Sequence, residues 1–156
     1  MALKRQILGI IGPNGAGKST IHKVLTTVIA RTNGEVYVMG TSLSDLSFKD
    51  HSGEIGFVSQ QNVFWEDLTV DQNLKLIGNL QGMDQELMAL IMSKIKAALD
   101  LGPYSEKKAK YLSGGNKRKL CFAMALLPMP RIVLLDEPSN GLDPIARKGL
   151  YNFLKN

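Results

Sequence analysis

Nine residues near the start of the chain, GPNGAGKST at positions 12–20, combine the residue types that bind phosphate groups. Three glycines let successive backbone N–H groups point into one turn. The positions Gly12, Gly17, Lys18 and Ser19 fit the pattern G-x-x-x-x-G-K-[ST]. We call residues 12–20 the phosphate loop and predict that it binds a nucleoside triphosphate. The alternative is a glycine-rich turn that binds nothing.

Two side chains near the end of the phosphate loop have predicted roles. Lys18 is expected to reach the β- and γ-phosphates, and the hydroxyl of Ser19 to ligate Mg²⁺. The helix that follows adds the positive end of its dipole. The predicted nucleotide contacts are Gly12, Pro13, Asn14, Gly15, Ala16, Gly17, Lys18, Ser19 and Thr20.

Two carboxylates follow the apolar run at 132–135, and an amide follows another at 55–58. Asp136 is predicted to hold Mg²⁺, directly or through water, and Glu137 to act on the attacking water as general base or orienter. Gln60 could reach metal or water. The alternatives are an acidic turn after a core strand and an ordinary surface glutamine.

A second anion-binding pattern, Ser113-Gly114-Gly115, precedes an apolar helical run at 120–127. A hydroxyl and free N–H groups at a helix start can receive a phosphate. One nucleotide does not need two such sites, but two chains that share a pocket do. The alternative is a plain N-cap at Ser113. The basic run at 117–119 is interpreted as a solvated helix face, with an RNA contact as the alternative.

These groups need elements to position them, and the apolar patterns predict those elements. Strands are predicted near residues 6–11, 35–39, 55–58 and 132–135, and helices after the phosphate loop and near 71–80, 84–99 and 120–127. Alternating strands and helices favour a parallel sheet with its site at the carboxyl edge. For 84–99 the predicted buried stripe is Leu87, Ile91, Ile95, Ala98 and Leu99, with Met83, Met88 and Met92 serving packing.

Composition limits the classes of protein that fit. The 156 residues, 44% of them apolar, suit one globular domain with a sizeable core. The longest apolar runs are too short to span a bilayer, and a single cysteine excludes an internal disulfide. The net charge of +5 is interpreted as a mildly basic surface.

Five motifs in this order resemble the ATPase domain of ABC proteins. They are the phosphate loop, Gln60, the LSGG segment at 112–115, the strand ending in Asp136 and Glu137, and the SNGLD segment at 139–143. The likeness spans about residues 4–150. It implies a P-loop NTPase core of three α/β layers with a mainly parallel sheet. It also implies a division into a nucleotide-binding core at 1–65 and 128–156 and a helical subdomain at 66–127.

The resemblance also implies ATP and Mg²⁺ as ligands and a second ATPase domain as partner, closed head to tail. Lys18, Gln60 and Glu137 would be catalytic, and Ser19, Gln60 and Asp136 would hold the metal. Ser113, Gly114 and Gly115 would contact the partner's γ-phosphate, while Asp143 would bridge the two domains.

Membrane-spanning partner domains follow from the same resemblance, which places the segment 62–68 near the surface they would contact. Trp65 in this segment is interpreted as ordinary packing, with a partner contact as the alternative. These partner domains place the chain at the cytosolic face of a membrane, and no nucleic acid partner is expected. The sequence SGGNKRKL is similar to the A subfamily of ABC transporters, many of which move lipids. The predicted function is therefore ATP-driven transport of lipid or another amphipathic substrate.

Two alternatives remain open on the sequence alone. One is a soluble ABC ATPase that acts on ribosomes or nucleic acid. The other is a truncated, non-hydrolysing domain that binds nucleotide or docks on a complete partner. It is motivated by two absences: no aromatic residue precedes Gly12, and no histidine follows residue 143. The family has an adenine-stacking aromatic and a switch histidine in those places, so we expect an incomplete domain.

Overall fold

A computed structural model describes residues 7–38, 40–42, 53–139 and 147. The chain divides into two units, residues 1–46 and 47–156. The phosphate loop lies in the first unit. The carboxylates, Gln60 and the LSGG segment lie in the second.

The phosphate loop turns sharply before helix α1, Lys18–Leu25. Gly15 and Gly17 have φ angles of +82° and +92°, a left-handed conformation that favours glycine. Helix α1 ends at Leu25, where the hydroxyl of Thr26 donates to the carbonyl of His22 at 2.8 Å. The helix predicted after the phosphate loop is therefore confirmed, with a length of eight residues.

The strand predicted at 6–11 is not formed by the described residues 7–11. Their apolar side chains are exposed, with Ile7 at 79% and Ile11 at 97%. A strand needs a neighbour for its N–H and C=O groups, and none of the described strands pairs with this segment. Apolar composition is therefore not sufficient to make a strand here.

The strand predicted at 35–39 is confirmed only as β1, Tyr37–Val38. It pairs antiparallel with β2, Thr41–Ser42, which the sequence pattern did not predict. Val38 faces Thr41 in the register, so a two-residue connection closes the hairpin. Gly40 supplies the positive φ, +86°, that such a connection needs.

The second unit contains the two strands that carry the polar groups. Strand β3, Ile55–Val58, and strand β4, Ile132–Leu135, agree with the predicted ranges. They pair in parallel from Ile55 opposite Ile132 to Val58 opposite Leu135. Their carboxyl ends therefore lie side by side, as predicted for a parallel sheet.

Three helices surround the core of this unit: α2, Val70–Leu80; α3, Gln85–Ala98; and α4, Gly114–Leu126. Thr69 begins α2 with a capping box, in which its side chain and that of Gln72 each accept the other's backbone N–H. Asp84 caps α3. Two short 3₁₀ turns, Gly102–Tyr104 and Ala109–Tyr111, connect α3 to α4.

The inner face of α3 is rotated from the predicted stripe. Ile91 and Leu99 are buried and Ile95 packs against the core, but Leu87 is 47% exposed and Ala98 is exposed. Met88 and Met92 are buried on the inner face instead, at 3% and 4% exposure. Met83 also packs against the core, so the packing role predicted for the methionines is confirmed.

Helix α4 is the central element of the core. Its buried apolar residues are Leu120, Cys121, Phe122, Ala123 and Met124. A Cβ added to Gly56 of β3 would lie 2.5 Å from the carbonyl oxygen of Ala125, so the strand and this helix are in close contact. No helix formed by the described residues has the length and apolar content needed to cross a bilayer.

Candidate functional site

The carboxyl ends of β3 and β4 bring Gln60 and Glu137 together. The Gln60 Nε2 donates to Glu137 Oε2 at 2.9 Å, although 77 positions separate the residues in the chain. Both side chains are exposed. A carboxylate that accepts from an amide keeps a fixed orientation while its oxygens stay accessible to a reactant from solvent.

The backbone after β4 turns abruptly at the two carboxylates. The N–H of Asp136 donates to the carbonyl of Val58 at 2.9 Å, which extends the parallel pairing by one residue. Glu137 then has a φ of +46°, in the left-handed region. A non-glycine residue there costs about 1–2 kcal/mol, so neighbouring contacts must hold it.

Arg118 is the residue of this site that the sequence interpretation missed. It lies in the run expected to be a solvated helix face, yet it is 2% exposed. The neighbouring cations go elsewhere: Lys119 pairs with Asp100 at 3.6 Å, and Lys117 lies 6.0 Å from the centre of the Phe64 ring. Neither a solvated face nor an RNA contact therefore describes Arg118. The sequence gives little signal for its burial, because Lys117 and Lys119 flank it and the apolar run begins only at Leu120.

The guanidinium of Arg118 contacts the backbone after both strands. It donates to the carbonyl oxygens of Ser59 (2.5 Å), Gln60 (3.4 Å), Asp136 (3.3 Å), Glu137 (3.3 Å) and Pro138 (3.2 Å). Burial lowers the pKa of Arg118, while the negative charge of Asp136 acts in the opposite direction. The guanidinium centre lies 5.6 Å from the centre of the Phe122 ring.

In the first unit, Lys18 folds back over the phosphate loop. Its Nζ donates to the carbonyl oxygens of Gly12 and Pro13, each at 2.9 Å. The ammonium is held above the turn formed by residues 12–17, where a phosphate would provide a stronger partner. Ser19 and Thr20 are exposed at the start of α1.

Ser113 is the N-cap of α4, and its side-chain oxygen accepts from the N–H of Asn116 at 3.3 Å. Ser113 therefore caps the helix, as both interpretations of this segment require. Ser113 and Gly114 are exposed and Gly115 is partly exposed. An N-cap leaves other N–H groups of the first turn without helical partners, so the phosphate interpretation remains compatible with it.

The loop between β3 and α2 is fixed by one buried side chain, Asn73. Its Oδ1 accepts from the N–H of Trp65 at 2.9 Å, and its Nδ2 donates to the carbonyls of Trp65, Leu68 and Thr69. Val63 and Trp65 are 68% and 44% exposed on this loop. A contact of Trp65 with a membrane-spanning partner, the alternative to ordinary packing, stays untested.

The expected metal ligands are a hydroxyl, an amide oxygen and a carboxylate, from Ser19, Gln60 and Asp136. All are hard oxygen donors, which Mg²⁺ prefers. Asp136 is partly exposed and Gln60 is exposed at adjacent strand ends, so the donors of the second unit fit Mg²⁺. Asp143 lies outside the described residues.

Comparisons with known proteins agree with these motifs. A family model described as ABC transporter matches residues 3–140. The human cholesterol transporter ABCA5 is 42% identical over 153 residues, and the mouse ABC-type organic anion transporter ABCA8B is 36% identical over 152. Each alignment covers 97% of this chain but 9% of the relative.

One solved structure, titled "Structure of ATP binding subunit of ABC transporter", matches with a TM-score of 0.82 and 26% identity. The match covers 93% of this chain and 60% of that one. The fold is therefore that of the P-loop NTPases, an α/β core with a parallel sheet. The chain spans less than a tenth of the length of the curated relatives named above.

Proposed function

This chain belongs to the ABC transporter family, and on that basis we propose that it binds and hydrolyses ATP to drive transport across a membrane. The observation that carries the proposal is the contact between Gln60 and Glu137 at 2.9 Å. Hydrolysis needs a water held beside a carboxylate, and this pair provides an oriented carboxylate at the edge of a parallel sheet.

In the proposed mechanism the phosphate loop binds the triphosphate. Lys18 exchanges the carbonyls of Gly12 and Pro13 for the β- and γ-phosphates, and the N–H groups of the loop surround them. Ser19, Gln60 and Asp136 would hold Mg²⁺, which neutralises charge on the phosphates when bound. Glu137 accepts the proton of the attacking water or orients it.

A second ATPase domain completes the proposed site. Its Ser113, Gly114 and Gly115 would receive the γ-phosphate bound to the first domain, and Asp143 would bridge the pair. The helical subdomain at 66–127 would carry these residues toward the partner domain, while 1–65 and 128–156 form the nucleotide-binding core. Closure on ATP would drive the mechanical output, and hydrolysis would reset it.

The proposed cargo is lipid or another amphipathic molecule. Two of the similar proteins are named for cholesterol and for organic anions, and cholesterol is a lipid. The membrane-spanning domains that select such a cargo would place this chain at the cytosolic face of a membrane. The exposed Trp65 and Val63 would lie toward those domains.

The test uses the native polypeptide that contains this chain, purified from membranes and reconstituted in lipid vesicles. We expect Mg²⁺-dependent ATP hydrolysis that rises when sterol or an amphipathic anion is added. A matched preparation carrying Glu137→Gln should bind ATP but not turn it over. Failure of the wild-type protein to hydrolyse ATP, or its co-sedimentation with ribosomes rather than membranes, would contradict the proposal.

A further inference from the structure

We propose that Arg118 is a positioning residue that couples helix α4 to the Gln60–Glu137 pair. Its guanidinium joins the backbone after β3 to the backbone after β4 through five hydrogen bonds to described residues. This inference rests on the proposed ATP hydrolysis. It adds a residue to which the sequence motifs give no role.

The hydrogen-bond partners of Arg118 are the first observation that supports a positioning role. Arg118 is almost fully buried, and burial disfavours its charged form. Each of the five hydrogen bonds goes to a main-chain oxygen rather than to a carboxylate. The planar guanidinium, with five N–H donors in fixed directions, can span two strands about 4.8 Å apart, whereas an ammonium cannot donate in that pattern.

The backbone conformation of Glu137 is the second observation. Its φ of +46° is disfavoured for a residue with a side chain. The Nη2 of Arg118 donates to the carbonyls of Asp136 and Glu137, and Nε donates to that of Pro138. These bonds hold the backbone on both sides of the strained residue. The same guanidinium fixes the carbonyls of Ser59 and Gln60, so it sets both sides of the 2.9 Å contact.

The position of Arg118 along α4 is the third observation. Ser113 caps this helix, and Arg118 follows five residues later, about 7.5 Å along the axis. A shift of the helix start toward or away from a partner's nucleotide would therefore displace the guanidinium. Such a shift would be transmitted to the Gln60–Glu137 pair of the same chain through the bonds of Arg118.

The experiment compares Arg118→Met, Arg118→Lys and a control, Lys119→Met, in the native polypeptide. For Arg118→Met we expect kcat to fall about 100-fold while KM for ATP stays within about twofold, because a small displacement of reacting groups has an effect of that size. Arg118→Lys should recover part of the loss. Lys119→Met should equal the wild type, because Lys119, on the same helix as Arg118, pairs with the exposed Asp100 just after the end of α3.

A second readout separates positioning from general stability. Hydrogen exchange should accelerate at residues 59–61 and 136–139 in Arg118→Met but not at 120–124 in the core. Exchange that accelerates equally throughout α4, or a kcat within about twofold of the wild type, would overturn the proposal. If Arg118→Met does not fold, Arg118→Lys decides: a lower kcat with unchanged KM supports the proposal, and an unchanged kcat overturns it. An inactive wild type refutes the proposed function instead.

Discussion

At the scale of single residues, the chemistry depends on a carboxylate that is oriented but still accessible. Glu137 obtains its orientation from the amide of Gln60 and its backbone angle from a strained turn. Lys18, in the first unit, is held by two carbonyls of its own loop. The amide of Gln60 and the two carbonyls that hold Lys18 are neutral groups, so a charged phosphate would be a stronger partner for Lys18.

Replacing Glu137 by glutamine keeps the size of the side chain and removes its capacity to accept a proton. We expect ATP affinity to stay within about twofold and turnover to fall at least about 100-fold. Equilibrium binding of a fluorescent ATP analogue and phosphate release, measured on the same preparation, check both parts. Wild-type turnover in Glu137→Gln would remove Glu137 from the mechanism.

Replacing Lys18 by alanine removes the ammonium that lies over the phosphate loop. We expect the Kd for ATP to rise at least about tenfold, since a charge-assisted bond to phosphate is lost. Lys23→Ala is the matched control, because Lys23 is exposed on the same helix. Equal affinities in the two variants would contradict the assignment of the loop.

At the scale of elements, the close approach of β3 to α4 is set by a glycine. A Cβ at Gly56 would meet the backbone oxygen of Ala125 at 2.5 Å and Pro130 at 2.9 Å. A Cβ at Gly78 of α2 would lie 2.1 Å from the Sδ of Met88, which is a flexible side chain. A Cβ at Gly56 would therefore collide with backbone, whereas a Cβ at Gly78 would collide with a flexible side chain, although both glycines are buried.

We expect Gly56→Ala to lower the free energy of unfolding by about 1–3 kcal/mol, because the helix backbone has to move. Gly78→Ala should cost less, since Met88 can change rotamer and alanine gains about 1 kcal/mol in helix propensity. Urea unfolding of the two variants gives the comparison. A larger loss for Gly78→Ala would show that α2, not β3, is the tighter contact.

The sequence predicted some of these elements correctly and others incorrectly. The difference is whether the pattern that indicates an element lies within its own residues or depends on a distant neighbour. Helices α2 and α3 begin within one residue of their predicted starts because capping residues and apolar periodicity are local. Strands β3 and β4 were also found, since both are short apolar runs followed by polar groups. The prediction of a strand at 6–11 was wrong for the described residues 7–11, because a strand depends on a neighbour that its own residues do not specify.

The site shows the same division between local and distant information. The phosphate loop, Gln60 and the carboxylates were named from motifs, although their assigned roles remain predictions. Arg118 was missed because its partners lie 18 to 59 positions away in the chain. The predicted inner face of α3 was also partly wrong, because periodicity assigned Leu87 to the core and the flexible Met88 is buried instead.

At the scale of the whole molecule, the core lies almost entirely in the second unit. Val38 is the sole buried apolar residue of the first unit among the residues described. In the part of the second unit that the structure describes, sixteen buried apolar residues form one cluster, including Cys121, the single cysteine of the chain. That thiol is therefore a probe for the opening of this core.

We expect Cys121 to resist iodoacetamide in the native chain and to react fully in urea. Burial raises the pKa of its thiol, so folding favours the protonated form. The contribution to stability is present below the unfolded pKa of about 8.5 and is lost as the pH rises through the folded value. The stability difference between wild type and Cys121→Ala should therefore shrink above about pH 9, as measured by urea unfolding.

The parallel pairing of β3 with β4 has a consequence for the time at which the activity can arise. The strands pair residues 77 positions apart, and α2, α3 and α4 lie between them in the chain. At about 5–20 residues per second, a ribosome needs about 4–15 s to add that length. A nascent chain therefore presents the glutamine for several seconds before it has the carboxylate, and the proposed hydrolysis of ATP has to wait until synthesis has passed β4.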